Sequence, residues 1–594
     1  MTYRAPVEDI LLALNYGAAL NEAIRAGHYR DYDADTASAI IEQAGKFASD
    51  VLAPLNRVGD EHGATLKDNK VTTAPGWRDA YRGWVEAGWN SLTGAEEFGG
   101  QGLPIVLHAA CSEIWSAANM AFGLCPLLTA GTVEAISAHG ADALKQTYLA
   151  KLISGEWTGT MQLTEPQAGS DVGALRTRAE KQPDGSYRLS GTKIFITYGD
   201  HDMTGNIVHL VLARLPGAPD GTKGISLFVV PKFLVNADGS LGARNDVYPT
   251  GLEHKLGIHG SPTCTMAMGD NGGAVGYLVG EENNGMACMF TMMNQARLGV
   301  GIEGVGIAER ATQQAIAYAQ ERKQGHALGH KGGGPDPIIV HPDVKRNLLT
   351  MRALTAAART ICYATAVAID ASHQAEDEMT RAKANARASL LTPLAKAFST
   401  DIANEVAALG VQVHGGAGFI EETGAAQYVR DARILTIYEG TNGIQANDLV
   451  MRKLGSDKGA ALRDLLDELG QIAARVEASN DPAFGATAPI LREALGAAAR
   501  AGEWLLEKID SSPNETLAGA TPYLRLLSLA AGGCMLARQA LDGRADGTLR
   551  DRALRRTPLA RFLAENMVVQ APALEQSIIR SGGVIDDADM TLWN

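Results

Sequence analysis

Residues able to do chemistry collect in four short stretches of the chain. Arg430–Gln445 reads RDARILTIYEGTNGIQ and sets Glu439 between Tyr438 and Gly440 in a largely apolar neighbourhood. A carboxylate there can be desolvated, which raises its proton affinity and makes it a useful base. The same acid could instead complement the dipole of a helix that starts near Thr441. Leu163–Asp171 reads LTEPQAGSD. Pro166 and Gly169 force a turn, and Thr164, Ser170 and the backbone N–H groups offer donors to a phosphate or to the edge of a flat heterocycle. A plain domain-linking turn uses the same residues. In Gly191–Gly199, GTKIFITYG, alternation places Phe195 and Thr197 on one face of a strand, where an aromatic beside a hydroxyl suits a flat ring. An ordinary strand with a half-buried Phe is the simpler alternative. Val411–Phe419, VQVHGGAGF, carries glycines that allow close approach to a ligand or cap a helix equally well. Its His414 alone is more often structural than catalytic.

The elements that must position these residues fall into four segments. Residues 1–157 read as mainly helical. Asp35-Thr36 is expected to cap a helix from about Ser38 to Ala48, a second helix runs from Trp77 to Gly88, and breaks fall at Gly94–Pro104 and around Pro126. From Thr160 the pattern turns to strands: SYRLSGTKIFITYG alternates, and GNIVHLVLARL and GISLFVVPKFLV are β-branched runs between turns. This β domain is placed at residues 158–281. A four-helix bundle is placed at 282–455, with helices at about Met286–Arg322 and Arg381–Gly410 and a last one within 442–455. Between them, Val344, Leu348, Met351, Thr355, Ala358, Cys362 and Ala366 step as a narrow seam. Thr355, the only hydroxyl in that seam, is expected to bond its own preceding turn. Ala and Gly at the expected interface positions allow the helices to approach closely. Residues 456–594 form a further helical domain, with breaks at Asn480–Pro489 and Ser511–Pro522. Its basic run LRDRALRRTPLAR, 549–561, reads as a solvated helix face.

Composition narrows the function. The chain has 594 residues, with 53 basic and 67 acidic side chains and a net charge of −14. At ~150 residues per domain the length suggests three or four domains. The negative balance argues against a general nucleic-acid binder, while an anionic ligand needs only a local basic pocket. Six scattered cysteines without a C-x-x-C pair read as buried thiols in a reducing compartment. Glu8 and Asp9 stand where a signal peptide would be basic and then apolar, and no apolar run of ~20 residues stands out. A soluble, cytoplasmic protein is the expectation, with no metal site.

Taken in order, LTEPQAGSD, Phe195-Ile196-Thr197, Arg297 in a Met-rich helix, AYAQERK, KAFSTDIANEVAALGVQVHGGAGF and IYEGTNGIQ resemble the acyl-CoA dehydrogenase family over roughly residues 40–455. The resemblance implies an α+β fold: an N-terminal helical domain, a central β-barrel-like domain and a four-helix bundle, here with an extra C-terminal helical domain, and FAD wedged between the family domains. It implies α,β-dehydrogenation of an acyl-CoA thioester, with a short-chain or 3-methylmercaptopropionyl thioester as substrate and an electron-transfer flavoprotein as acceptor. An acyl-CoA oxidase or a medium- or long-chain dehydrogenase are the alternatives. A DNA-binding adaptive-response relative is remote, because the tail lacks strong positive charge.

By position, Glu439 matches the base that takes the α-proton while the β-hydride passes to the flavin. The substrate carbonyl accepts bonds from the flavin ribityl hydroxyl and from the base's own backbone N–H, an oxyanion hole for the developing enolate. Leu163, Thr164, Gly169, Ser170, Phe195 and Thr197 match flavin contacts. Arg322, Gln412, Gly416 and Thr441 match positions holding the ADP half of FAD, partly across the interface of a homodimer or homotetramer. Ser170, Asn294, Arg297 and Gly440 match substrate-side positions, where an Arg suits the CoA phosphates. The chain departs from the family pattern at Gln324-Gly325, at the insertion Gly325–Pro337, and at Gly443, Asn294 and His259.

Overall fold

The computed structural model describes residues 3–29, 32–329, 333–580, 582–586, 588 and 590–593; the side chain of Asn294 lies outside the described residues. Two compact units divide the chain. One comprises Met1–Lys46, Ile105–Ala117 and Arg297–Asn594, the other Phe47–Pro104 and Ala118–Ala296.

The second unit carries the β layer. Its centre is Tyr187–Thr197, which pairs along its first half with Ala274–Val279 on one edge and Arg178–Lys181 on the other, and along its second half with Thr263–Met268. Ala274–Val279 pairs with Ile225–Pro231, which pairs with Ile207–Arg214. A single bridge, Arg178 opposite Arg214, closes the circuit, so the layer is barrel-like. Thr158–Gln162 adds a parallel strand against Ile207–Arg214. The last two are buried along both faces, which is why Ile207–Arg214 is a continuous apolar run; Tyr187–Thr197 has one open face and alternates.

That alternation has one interruption that periodicity did not predict. The register against Thr263–Met268 shifts between Cys264 and Met266, so Ile194 and Phe195 together face Thr265. Phe195 takes φ +61°, the signature of a bulge. In the same unit the indole of Trp77 donates to the Tyr198 hydroxyl at 3.0 Å, and that hydroxyl donates to the Ala121 carbonyl at 2.7 Å.

Three helix boundaries differ from expectation. The first helix of residues 34–47 is capped by Asp33, which accepts from the Thr36 N–H at 2.9 Å, while Asp35 lies within the first turn. The break expected at Pro126 lies instead at Asn119, where φ −160°, ψ 89° interrupt Ile105–His139. The Asn119 amide oxygen accepts from Phe122 N at 3.1 Å, so Asn119 caps the helical segment after it and Pro126 is carried inside. This helix is also long and apolar enough to span a membrane by length and composition, contrary to the sequence reading, but 67% of its most apolar window is buried within the protein. Likewise the break at Ser511–Pro522 shrinks to a turn before Pro513, and Pro522 lies inside Pro513–Asp542.

The first unit is helical. Gly285–Glu321, Pro342–Gln374 and Glu378–His414 are followed by Asn442–Asn447, which continues as a wider π turn through Leu454. A Cβ on Gly301 would meet the Ala395 carbonyl at 2.4 Å, and one on Gly304 the Ser399 carbonyl at 2.7 Å. Glycine is therefore what lets the first and third helices meet backbone to backbone. Thr355 bonds the Met351 carbonyl at 2.8 Å. The expected narrow seam widens to nearly the whole girth of its helix between Thr350 and Ala371, because the tail helices Pro513–Asp542 and Arg550–Asn566 also pack on it. The basic run 549–561 is a solvated face only in part: Arg550, Arg555 and Arg561 are exposed, whereas Arg556 is buried and bonds Asp9, and Arg552 bonds Glu8. All six cysteines are free and buried.

Candidate active site

In the first unit the chemistry gathers around Glu439. Thr441 caps the helix Asn442–Asn447 by accepting from Ile444 N at 3.3 Å, so the helix-start role belongs to Thr441. Glu439 stands two residues earlier with φ +55°, followed by Gly440 at φ +82°. An acid in the left-handed region is costly to hold, and such strain collects at functional sites. Two buried groups fix this turn. The Lys396 ammonium donates to the Gly440 carbonyl and to Asn442 Oδ1, both at 2.9 Å, and the Gln445 amide donates to the Glu439 carbonyl at 3.2 Å.

Burial pushes the Glu439 carboxyl up, and the charges of Arg297 and Lys396 pull it back. Burial in turn lowers Lys396 to about 8. Arg297 is buried and donates to Asp448 at 3.2 Å. Its charge is thus shared between Asp448 and Glu439, and the guanidinium does not stand open on a surface where a phosphate would meet it. Tyr438, beside Glu439, bonds the carboxyl of Glu303 on the Gly285–Glu321 helix. A carboxylate such as Glu439, with its proton affinity raised by burial and checked by two cations, is suited to the role of a general base.

Arg322, Gln412 and Gly416 are exposed. The helix ends that carry them meet where Tyr318 stacks on His414, with ring centroids 4.4 Å apart. His414 also bonds the Gly410 carbonyl at 2.7 Å, a structural role. Lys323, before the insertion, is bridged to Pro337 at its end.

In the second unit the loop after Thr158–Gln162 and the bulged strand form one assembly. Ile194 N donates to the Thr164 carbonyl at 3.0 Å. Beneath the loop, Lys193 is fully buried; its ammonium donates to the Leu163 carbonyl at 3.0 Å and to Glu165 at 2.8 Å. Glu165 also accepts from Arg176 N, Thr177 N and the Thr177 hydroxyl. With the Lys193 charge these donors outweigh burial and hold Glu165 down at about 2, while burial lowers Lys193 to about 8. On the open side, Phe195 is 60% exposed, Ser170 is exposed and a Cβ on Gly169 would meet nothing within 4 Å. A cleft of this unit, about 890 Å³ and lined by Thr72–Gly76, Arg78, Arg82 and Asp202 among others, includes none of these residues.

Glu303, Lys396 and Asp448 around Glu439, and the Lys193–Glu165 pair under the loop, were not among the residues expected from the sequence. Lys396 left a trace as a lone charge in the apolar stretch LLTPLAKAFST, and Lys193 as a charge on the inward face of an alternating strand; both patterns call for a buried partner. Asn294 lies in the Gly285–Glu321 helix, with its side chain outside the described residues.

Comparison with known proteins agrees with this architecture. The family models described as the N-terminal, middle and C-terminal domains of acyl-CoA dehydrogenase match residues 34–156, 160–270 and 283–454, and one described as acetyl-CoA dehydrogenase C-terminal like matches 465–585. The chain is 47% identical to a 3-methylmercaptopropionyl-CoA dehydrogenase of Ruegeria pomeroyi, covering 92% of each chain. It is 37% identical to a butyryl-CoA dehydrogenase of Syntrophomonas wolfei, covering 83% of this chain and 82% of that one. A crystal structure of an acyl-CoA dehydrogenase complexed with FAD from Bacillus anthracis shares the fold, with TM-score 0.74 and 22% identity over 95% of this chain and 90% of that one. The chain belongs to the acyl-CoA dehydrogenase family and is an FAD-dependent enzyme of that family.

Proposed function

We propose that the chain dehydrogenates a short acyl-CoA thioester, with 3-methylmercaptopropionyl-CoA as its first candidate substrate, and passes the electrons to an electron-transfer flavoprotein. The observation that carries this reading is Glu439, a carboxylate held in a left-handed turn with its proton affinity raised by burial and balanced by Arg297 and Lys396. The substrate assignment rests on the likeness to the Ruegeria enzyme.

The second unit offers a fitting seat for a flavin. Phe195 presents an open aromatic face, and among the described residues the hydroxyls of Thr164, Ser170 and Thr197 make no bond to protein, which leaves them for a ligand. Leu163, Thr164, Gly169, Ser170, Phe195 and Thr197 would hold its ring system, and Arg322, Gln412, Gly416 and Thr441 the ADP half, with a second copy of the chain in a homodimer or homotetramer. FAD supplies the acceptor for the β-hydride when bound. Glu439 takes the α-proton, so that the Cα–Cβ double bond forms as one proton and one hydride leave. Its backbone N–H would polarise the thioester carbonyl; the family resemblance assigns Ser170, Asn294, Arg297 and Gly440 to the substrate, Arg297 through its charge on Glu439 rather than by contact with a phosphate.

The test is a panel of acyl-CoAs, including 3-methylmercaptopropionyl-CoA and butyryl-CoA, assayed on the FAD-loaded protein with a dye acceptor. Anaerobic bleaching of the flavin by the preferred thioester and slow reoxidation in air are expected; rapid reoxidation with peroxide would make the enzyme an oxidase. Glu439→Gln should stay yellow and lose at least ~100-fold in turnover.

A further inference from the structure

Glu303 has no place in the scheme above, yet it is a carboxyl only 3% exposed, on the helix that carries Arg297. The Tyr438 hydroxyl bonds it, and Tyr438 is the residue immediately before the base. The helix segment around Glu303 is itself pinned, because Gly301 and Gly304 seat it against the backbone of the helix that bears Lys396.

We propose that Glu303 is a positioning residue: by holding the Tyr438 phenol from a fixed helix, it sets the turn that presents Glu439. The inference rests on Glu439 being the base. Glu303 does this work as a neutral acid. The groups that act on it are Tyr438, Glu439 and, from the facing helix, Lys396. Burial and then the Glu439 charge raise it, and the Tyr438 hydrogen bond and Lys396 fall short of offsetting them, leaving it at about 8. The Lys396 ammonium already has two acceptors, Gly440 and Asn442. Two carboxyl groups that share a buried site do not both ionise readily, and their protons come off as a coupled pair. Glu439, with Arg297 and Lys396 at hand, takes the charge first; Glu303 keeps its proton until mildly alkaline pH.

Ionisation of Glu303 then has two consequences. It puts a second negative charge beside the base and alters the phenol–carboxyl bond that holds the turn, so turnover should fall on the alkaline side. It also affects stability independently of any substrate. The folded-state proton affinity of Glu303 lies above that of an unfolded Glu, so the folded protein loses stability as pH rises from about 5 toward 8.

The experiment compares wild type, Glu303→Gln, Glu303→Ala and Tyr438→Phe as FAD-loaded proteins, reading kcat and KM against pH and thermal stability against pH. Glu303→Gln is expected to keep kcat within about threefold at pH 7 and to lose the Glu303 part of the alkaline decline. Its Tm advantage over wild type should grow from pH 5 to pH 8. Glu303→Ala and Tyr438→Phe should both lower kcat at least ~10-fold with little change in KM, because the base is displaced while the rest of the site is kept. An unchanged alkaline limb in Glu303→Gln together with full kcat in Glu303→Ala would overturn the inference. Failure of the wild type to oxidise any acyl-CoA would instead overturn the function proposed above. In that event the pH dependence of the Tm difference still decides whether Glu303 is the buried neutral acid.

Discussion

The guanidinium of Arg556 lies 2.6 Å from the carboxylate of Asp9, which joins the first helix of the chain to one 547 residues further on. Both groups are buried. Arg552 and Arg352 stand nearby, at 3.6 and 3.8 Å from Asp9, and the Arg538 guanidinium bonds the Gly17 carbonyl. The segment before the family's N-terminal domain and the helical domain after its C-terminal domain thus hold each other. Burial alone would raise the Asp9 carboxyl, but Arg556 and its neighbouring arginines outweigh it and hold Asp9 below the usual range.

Asp9→Asn should therefore destabilise the protein by about 3–5 kcal/mol, since it leaves a buried arginine uncompensated. Denaturant unfolding at pH 7 measures it. Because the folded-state affinity of Asp9 for a proton is depressed, its contribution is present above about pH 4 and is lost as pH falls through its folded-state value. The gap between wild type and variant should accordingly close in acid, and a gap that is constant with pH would show that the pair contributes no charge-linked stability.

Lys193 and Glu165 predict a defect in flavin binding rather than in proton transfer. Lys193→Met removes the donor that ties the Leu163 carbonyl to the strand bearing Phe195, and it leaves Glu165 with its hydrogen bonds but no opposing charge. FAD affinity should fall by at least ~10-fold, a loss of about 1.4 kcal/mol, while the α-proton step in FAD-saturated enzyme stays close to normal. Flavin fluorescence titration of the apoprotein gives the first quantity and single-turnover bleaching the second. Equal FAD affinity in the variant would mean that the loop keeps its shape without the pair.

How much of this was legible in the sequence depends on whether a residue acts through its neighbours in the chain or through distant ones. Glu439 stood out because its apolar neighbours and the glycine after it are adjacent in sequence. Phe195 and Thr197 followed from strand alternation, although the bulge that lifts Phe195 into a left-handed conformation did not, since it arises from the register against a strand 70 residues away. Glu303, Lys396 and Asp448 are brought to Glu439 from three separate helices, and no periodicity encodes that meeting. The basic run 549–561 was legible only in part for the same reason: local charge suggested a wet face, which Arg550, Arg555 and Arg561 provide, while the partner of Arg556 is at the other end of the chain. Pro126 and Pro522 misled because a proline limits a helix only where the rest of the packing lets it.

The balance of charge around Glu439 makes the last prediction. Arg297 pulls the Glu439 proton affinity down but is itself held by Asp448, and Lys396 pulls in the same direction from the facing helix. Lys396→Met takes away one of the two opposing charges, so the Glu439 affinity for protons should rise. The acid limb of the kcat/KM profile should then move to higher pH. Asp448→Asn leaves Arg297 with Glu439 as its remaining anionic neighbour in the site, so the same limb should move to lower pH. The two variants are thus expected to shift one profile in opposite directions, by something on the order of one pH unit, which corresponds to about 1.4 kcal/mol of differential interaction. Lys396 also bonds the Gly440 carbonyl, so Lys396→Met should lower kcat as well, whereas Asp448→Asn leaves the turn itself in place. Shifts of the same sign in both variants would mean that the limb belongs to another group, and would remove Glu439 as its source.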